Sequence, residues 1–161
     1  MVDPRLVTSP QPRADGRQSQ AALIVARGVR RVLRARGFSS LTELALSDGR
    51  RADIVAVNAE GVIHIIEVKS SIADFRADHK WPDYCAHCDA FAFAIAPAVP
   101  PDLIPADVGL FIADGYGAEL IRHGREQRLP PATRRAMLIR FAQAAADRLH
   151  ALYDCEPTGP S

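Results

Sequence analysis

The chain has 161 residues, a length that fits one domain with a single core of moderate size. Apolar residues make up 48% and charged residues 24%, which is ordinary globular usage and argues against a disordered chain. The sequence has no run of 18 apolar residues, so we expect no transmembrane helix. The formal net charge of +1 excludes a uniformly basic nucleic-acid-binding protein, so any contact with nucleic acid must be local.

The cysteines and the chain ends predict a cytoplasmic protein. Cys85, Cys88 and Cys155 are too few, and odd in number, for a disulfide scaffold. Residues 1–18 contain prolines and scattered charge without an apolar segment, so we expect no secretory signal there. We predict a flexible arm over 1–18, a domain over 19–153 and a flexible tail over 154–161.

An amphipathic pattern predicts a first helix from an N-cap at Ser19 to about Arg36, followed by the terminating Gly37. A second stripe of arginines runs beside its apolar stripe and comprises Arg27, Arg30, Arg31 and Arg34. We interpret these arginines as a solvated helix face, with contact to phosphate groups as the alternative.

A strand-rich stretch follows, in which β-branched runs are separated by the hairpin signal Asn58-Ala59-Glu60-Gly61. We predict strands over 41–46, 52–57 and 62–69. A helical segment over 70–89 comes next, with a cap at Ser71 and a break near Trp81 because Pro82 does not fit inside a helix.

The second half of the chain completes the predicted sheet. The run over 90–96 is apolar on both faces, as is typical of a central buried strand. The remaining elements are strands over 108–113 and 119–122 and a helix from Pro131 to Tyr153, whose apolar stripe ends at Leu149 and Leu152. This order predicts an α/β sandwich in which helices flank a mixed sheet.

The residues that carry chemistry are Asp53 and, fourteen positions later, Glu67 followed by Lys69. Side chains alternate along a strand, so Glu67 and Lys69 share one face. Asp53 lies directly opposite Glu67 if the hairpin loop is centred on Glu60. A slip of one residue would turn Asp53 to the other face, so we predict an odd-numbered loop or a bulge.

Two carboxylates and a lysine on one face suit metal-dependent hydrolysis of phosphodiesters. Mg²⁺ and Mn²⁺ prefer oxygen ligands, which Asp53, Glu67 and the backbone carbonyl of Val68 would supply. Lys69 would orient the attacking water or offset developing negative charge. The alternative is an ion pair between Glu67 and Lys69 at a sheet end with no role in catalysis.

The segments Arg51–Asp53 and Glu67–Ser71 resemble the core of the PD-(D/E)xK nuclease superfamily. More narrowly, residues 20–150 resemble the MmcB-like family of bacterial DNA-repair proteins. The segments that carry this closer match are Gly49–Asp53, Glu67–Ser71, Asp74-Phe75, Asp78–Trp81, Tyr84, Cys88-Asp89, Phe91–Pro97 and Gly109–Gly115. Ala52 replaces the proline of the superfamily motif, which removes no ligand.

The resemblance implies a restriction-endonuclease-like fold with an αβββαβ core and a metal-dependent site at Asp53, Glu67 and Lys69. It adds Glu43 as an acid that precedes the motif, and Lys80, in an element Lys80-x-x-x-Tyr84, as a contact to phosphate near the metal. Four residues are candidates for contact with nucleic acid: Lys80, Trp81, Tyr84 and Arg51. For Trp81, packing in the core is the favoured role and stacking on a base is the alternative.

The pair Cys85-x-x-Cys88, with His79 and His87 nearby, also raises the question of a zinc site. Structural zinc usually takes four ligands, often from two such pairs, and only one pair is present here. We therefore expect these cysteines to be small core residues.

These observations favour a Mg²⁺- or Mn²⁺-dependent DNA endonuclease that acts in DNA repair, with DNA as its partner and no membrane association. The alternative is a non-catalytic DNA-binding or adaptor module of the same fold, because a fold does not by itself confer activity. A second copy of the chain or another repair protein is the further partner that we consider. A weaker third hypothesis is an interaction protein without a nucleic-acid role.

Overall fold

Helix α1 (Gln20–Ala35) begins where the sequence predicts it, in a computed structural model that describes residues 19–154 of the chain. The Ser19 hydroxyl accepts a hydrogen bond from the Ala22 N–H at 3.2 Å and caps the helix. Gly37, with φ of +83°, follows its end. The predicted arm over 1–18 and residues 155–161 of the predicted tail lie outside the described residues.

The strands of residues 19–154 form one mixed sheet in simple chain order. They are β1 (Phe38–Ala45), β2 (Arg51–Asn58), β3 (Ile63–Lys69), β4 (Ala90–Ile95), β5 (Gly109–Ala113) and β6 (Ala118–Arg122). The first three form an antiparallel meander, β3, β4 and β5 are parallel, and β6 returns antiparallel to β5. The predicted strands are confirmed, and β4 is buried on both faces.

The connection from β3 to β4 is the predicted broken helix. It consists of α2 (Ile72–Ala77) and a 3₁₀ helix (Trp81–His87) that contains Pro82. The Ser71 hydroxyl caps α2 by accepting a hydrogen bond from the Asp74 N–H at 3.1 Å. The chain therefore follows the αβββαβ order.

Two apolar clusters, one on each face of the sheet, define three layers. α1 covers one face, where it packs on alternate residues of the central strands, including Ile54, Ile66 and Ala94. The opposite face carries Val55, Ile65 and Phe93 and is covered by the β3–β4 connection and by α3 (Pro131–Tyr153). The result is an open α/β sandwich, consistent with a restriction-endonuclease-like fold.

The second half of α3 is more exposed than the predicted apolar stripe implies. Leu149 and Leu152, which extend the predicted apolar stripe, are 53% and 75% exposed. α3 contacts β1 and the 3₁₀ helix, and its 23 residues span about 34 Å, whereas an eight-residue strand spans about 26 Å. The sheet therefore does not cover Leu149 and Leu152 at the end of this helix. No helix within 19–154 is long and apolar enough to cross a membrane.

Strand β1 lies at an edge of the sheet, and arginines from both helical layers bond its carbonyls. Arg30 of α1 donates to the Ser40 carbonyl at 3.1 Å. Arg148 of α3 donates to the carbonyls of Thr42 and Glu43 at 2.6 and 3.1 Å. These bonds occupy acceptors that an unguarded edge would offer to another chain.

Candidate functional site: an acid pair at the end of the β2–β3 hairpin

The β2–β3 hairpin has the predicted register. Ile54 pairs with Ile66 and Val57 with Ile63, so the loop is centred on Glu60. The Asn58 side-chain carbonyl holds this loop by accepting hydrogen bonds from the N–H groups of Glu60 and Val62 at 3.0 and 2.9 Å. This register sets Asp53 opposite Glu67 and turns both side chains to the α3 face.

Beyond Ile54 and Ile66, the acid side chains replace the backbone ladder. The Asp53 N–H donates to Glu67 Oε1 at 3.0 Å, and the Val68 N–H donates to Asp53 Oδ2 at 2.8 Å. A further hydrogen bond joins the two carboxyl groups. The two acids therefore meet between the strands at this end of the hairpin.

Electrostatics make this acid pair unusual. Glu67 is only 5% exposed, and burial, followed by the negative charge of Asp53, raises the pKa of Glu67 to about 9. Burial and a neighbouring negative charge both disfavour the ionised form of a carboxyl group. The pair therefore shares a proton at neutral pH.

The donor set fits a hard divalent cation. No group of three or more His, Cys, Asp or Glu side chains within residues 19–154 is arranged to hold a metal ion, so two carboxylates are the side-chain ligands available here. The N–H and C=O of one strand residue point to the same side, so the Val68 carbonyl faces β2, as its N–H does. Two carboxylates and one carbonyl suit Mg²⁺ or Mn²⁺, which retain water ligands. A bound cation would replace the shared proton.

Lys69 shares the face of the acid pair, but its ammonium pairs with Asp78. Lys69 is 7% exposed, and its Nζ lies 2.8 Å from Asp78 Oδ2. Burial lowers the pKa of Lys69, but the hydrogen bond and charge of Asp78 outweigh it, so the net shift is upward. Lys69 is therefore a fixed positive charge beside Glu67.

Asp78 is a site residue that the sequence reasoning missed. Its ion pair with Lys69 ties the β3–β4 connection to β3, and its Oδ1 accepts a hydrogen bond from the Lys80 N–H at 3.0 Å within that connection. One signal could have identified it: a lysine on an apolar buried strand needs a carboxylate partner, and the first downstream acids are Asp74 and Asp78.

Lys80 and Tyr84, predicted as one element, do not share a helix face. Residues four apart diverge in a 3₁₀ helix, which has three residues per turn. Lys80 is exposed. Tyr84 instead turns toward the hairpin, where its hydroxyl donates to the Arg51 carbonyl at 3.1 Å. Burial and the charges of Glu67 and Asp53 raise the pKa of Tyr84, so its hydroxyl stays protonated.

Trp81 is half-buried and packs on the core beneath the site. Its ring stacks on Phe91 at a centroid distance of 5.5 Å and meets the edge of Phe93 at the same distance. Contact between Trp81 and DNA stays a prediction.

Glu43 and Arg51 form the rim of the site on the β1 side. Glu43 lies opposite Asp53, between the pairs Thr42–Ile54 and Leu44–Ala52. Its φ of +52° is a left-handed conformation that side-chain-bearing residues rarely adopt inside a strand. Its Oε1 is 3.9 Å from the Arg51 guanidinium, so these predicted residues meet each other at the rim.

The cysteines behave as core residues, as expected. Cys88 is 2% exposed, and its thiol lies 3.4 Å from the Tyr84 carbonyl. Burial raises the pKa of Cys85, and it raises that of Cys88 to about 12, as is typical of thiols packed in a core.

Comparisons with known proteins agree with this architecture. The family model described as DNA repair protein MmcB-like matches residues 9–156. A solved structure of a protein of unknown function from Silicibacter pomeroyi is 42% identical, with a TM-score of 0.83. That match covers 89% of this chain and all of the other. No curated protein matches the chain.

Proposed function

Because the chain belongs to the family of MmcB-like DNA repair proteins, we propose that it hydrolyses phosphodiester bonds of DNA at the Asp53–Glu67 pair. The observation that carries this proposal is the acid pair itself. The buried Glu67, which keeps its proton at neutral pH, meets the partly buried Asp53 across the hairpin, and a lysine lies on the same face. Strongly perturbed groups of this kind concentrate at functional sites.

Asp53, Glu67 and the Val68 carbonyl would hold the cation. A bound Mg²⁺ or Mn²⁺ would polarise the phosphate and lower the pKa of a water ligand. Uptake of the cation would release the proton that Glu67 holds at neutral pH, so that both carboxylates could act as ligands.

Lys69 would offset the negative charge that develops on the phosphate. Asp78 keeps the ammonium in place, because the 2.8 Å bond restricts the long side chain. Tyr84, protonated and bonded to the Arg51 carbonyl, closes the side of the site next to the 3₁₀ helix. Asp78 is thus a positioning residue for Lys69.

Lys80 and Arg51 would contact the DNA around the scissile bond, because both are exposed cations and such cations bind phosphates. Glu43 would hold Arg51 in place through their ion pair. Trp81 would contact DNA only through the exposed part of its ring, because the rest packs on Phe91 and Phe93.

One observation favours the second candidate, a non-catalytic DNA-binding or adaptor module. Lys69 is fully engaged by Asp78, and such a pair also serves simply to fasten the β3–β4 connection to the sheet. In that case the acid pair would serve only to hold β2 and β3 together.

The deciding experiment compares wild type with Glu67→Gln for Mn²⁺-dependent cleavage of forked, nicked, gapped and single-stranded DNA. The introduced amide would keep the acceptor for the Asp53 N–H but lose the negative charge, so we expect cleavage to fall by at least about 100-fold. Glu60→Gln, in the exposed hairpin loop, is the matched control and should cleave as wild type does. Retained cleavage in Glu67→Gln would refute the hydrolase proposal. DNA binding without cleavage by wild type on every substrate would support the adaptor module.

A further inference from the structure

A groove of about 640 Å³ lies between α1 and the edge strand β1, on the sheet face opposite the acid pair. Its charged lining consists of Arg27, Arg30, Arg31 and Arg34, and we refer to it as the arginine groove. Among residues 19–154, no acidic side chain lines it. A chain with a net charge of only +1 therefore concentrates four positive charges in one concave surface.

No carboxylate compensates these charges among residues 19–154. Arg30 donates to the Ser40 hydroxyl at 2.9 Å and to the Ser40 carbonyl, and Arg31 donates to the Tyr116 carbonyl at 3.1 Å. All of these acceptors are neutral. Arg27 and Arg34 make no ion pair or side-chain hydrogen bond within 19–154, and both are exposed.

The spacing of the arginines adds repulsion that an anion would relieve. Arg27 and Arg31, like Arg30 and Arg34, are four residues apart, and like charges at this spacing destabilise a helix. The stripe from Arg27 to Arg34 is about 10 Å long, which is close to three nucleotides of a B-form strand. A linear polyanion with regularly spaced charges fits this stripe.

The arginine groove leads to the acid pair by way of the edge of β1. Ser40 and Thr42 line the groove, and the next residue, Glu43, lies opposite Asp53. From the other layer, Arg148 reaches the carbonyls of Thr42 and Glu43. Arginines of α1 and of α3 thus meet at the edge of β1 beside the site, so positive charge continues from the groove to the rim.

We propose that the arginine groove binds the phosphodiester backbone of DNA and directs the strand over β1 toward Asp53 and Glu67. The direction of the strand rests on the proposed function, whereas binding in the groove requires no hydrolysis. Arg27 and Arg34 would contact phosphates directly, and Arg30 and Arg31, held by neutral acceptors, would fix the shape of the groove.

The test is fluorescence anisotropy of a labelled DNA oligonucleotide, single-stranded and as a duplex, with the full chain in EDTA. The double variant Arg27→Gln/Arg34→Gln should bind about tenfold more weakly at about 50 mM salt. The slope of log K against log salt should fall by about 2, or about 1 for each phosphate contact. Whichever oligonucleotide shows this loss is the form of DNA that the groove takes.

The matched control is Arg128→Gln/Arg135→Gln, which removes the same charge from exposed positions before and within the start of α3. It should bind as wild type does. An equal loss in both double variants would mean that only net charge matters, and would overturn the proposal. Unchanged binding in Arg27→Gln/Arg34→Gln, or no binding by wild type to either oligonucleotide, would overturn it as well.

The hydrolase proposal and the arginine-groove proposal can be refuted independently of each other. Glu67→Gln should keep the wild-type affinity in EDTA while it loses cleavage, and Arg27→Gln/Arg34→Gln should lose affinity. Groove-dependent binding by a wild type that never cleaves DNA would end the hydrolase proposal and leave the arginine groove intact. Thermal unfolding of Arg27→Gln/Arg34→Gln should match wild type or exceed it, because the replaced side chains make no bond within 19–154 and repel their neighbours.

Discussion

Two buried acids lie at opposite ends of the same sheet, and their surroundings give them opposite properties. Asp89, just before β4, is 7% exposed, and Glu67, near the end of β3, is 5% exposed. Burial alone opposes ionisation of both carboxyls. Their neighbours therefore decide which acid is charged.

Asp89 is surrounded by donors. Its carboxylate accepts two hydrogen bonds from Arg134 at 2.6 Å and one each from the N–H groups of Leu129 and Ile63. Burial would raise the pKa of Asp89, but these donors outweigh it and lower the pKa to about 2. Asp89 joins the starts of β3, β4 and α3 and has no capacity left for a ligand.

The neighbour of the Glu67 carboxyl is a second acid, Asp53, whereas the neighbour of the Asp89 carboxylate is Arg134. The Asp53 N–H is its donor from β2, and the nearest fixed cation, Lys69, is bonded to Asp78. A buried acid that is paired with an arginine of the same chain, as Asp89 is, holds elements of the fold together. Glu67, which is buried beside the Asp53 carboxyl and keeps its proton at neutral pH, is the acid at the end of the sheet where we propose that a cation binds.

The largest expected effect is a loss of stability when Arg134, the cation paired with Asp89, is replaced. Arg134→Ala leaves Asp89 buried without its partner, which should cost about 3–5 kcal/mol of unfolding free energy. Urea unfolding measures this loss. Arg135→Ala, at an exposed neighbouring position, should stay within about 0.5 kcal/mol of wild type. A similarly small effect of Arg134→Ala would remove the distinction between the two acids.

A smaller effect of opposite sign is expected at Glu67. Its folded-state pKa lies above the ordinary value of 4.5, so in EDTA its contribution to stability is fully present below about pH 4.5. That contribution is lost as the pH rises toward 9, by at most about 1.4 kcal/mol per pH unit. Glu67→Gln should therefore be more stable than wild type at pH 8, by about 1–3 kcal/mol, and should lack this decline.

Asp89 sets the opposite trend at the acid end of the range. Its contribution is fully present above pH 3.8, the ordinary pKa of an aspartate, and is lost as the pH falls toward 2. Urea unfolding of wild type and Glu67→Gln from pH 3 to pH 9 separates the two contributions. A decline between pH 5 and pH 9 that persists in Glu67→Gln would assign it to another group.

Strand periodicity was sufficient to predict the acid pair. The alternation along β3 and a loop centred on Glu60 put Asp53, Glu67 and Lys69 on one face. Asp78 escaped prediction because it lies between α2 and the 3₁₀ helix, where no period fixes the direction of a side chain. The left-handed backbone of Glu43 escaped for a similar reason, since nothing in Thr42-Glu43-Leu44 marks it.

The hydrophobic pattern of the sequence predicted the order and type of the helices and strands. It did not predict how far α3 is covered by the sheet. Periodicity shows which face of α3 is apolar, but it does not show how far the sheet beneath extends, so the exposure of Leu149 and Leu152 was not predictable. The arginines of α1 were visible in the sequence as a stripe. Their position across a groove from β1, on which the proposed DNA-binding surface rests, was not visible in the sequence.

The central claim is that the Asp53–Glu67 pair exchanges its shared proton for a divalent cation. Isothermal titration of Mn²⁺ into the metal-free chain, in buffers of different ionisation enthalpy, measures binding and proton release together. We expect one Mn²⁺ to bind to wild type with release of a proton, and Glu67→Gln to lose both the binding and the release. Binding that is equally strong in Glu67→Gln, or no binding by wild type at any pH from 6 to 9, would contradict the account.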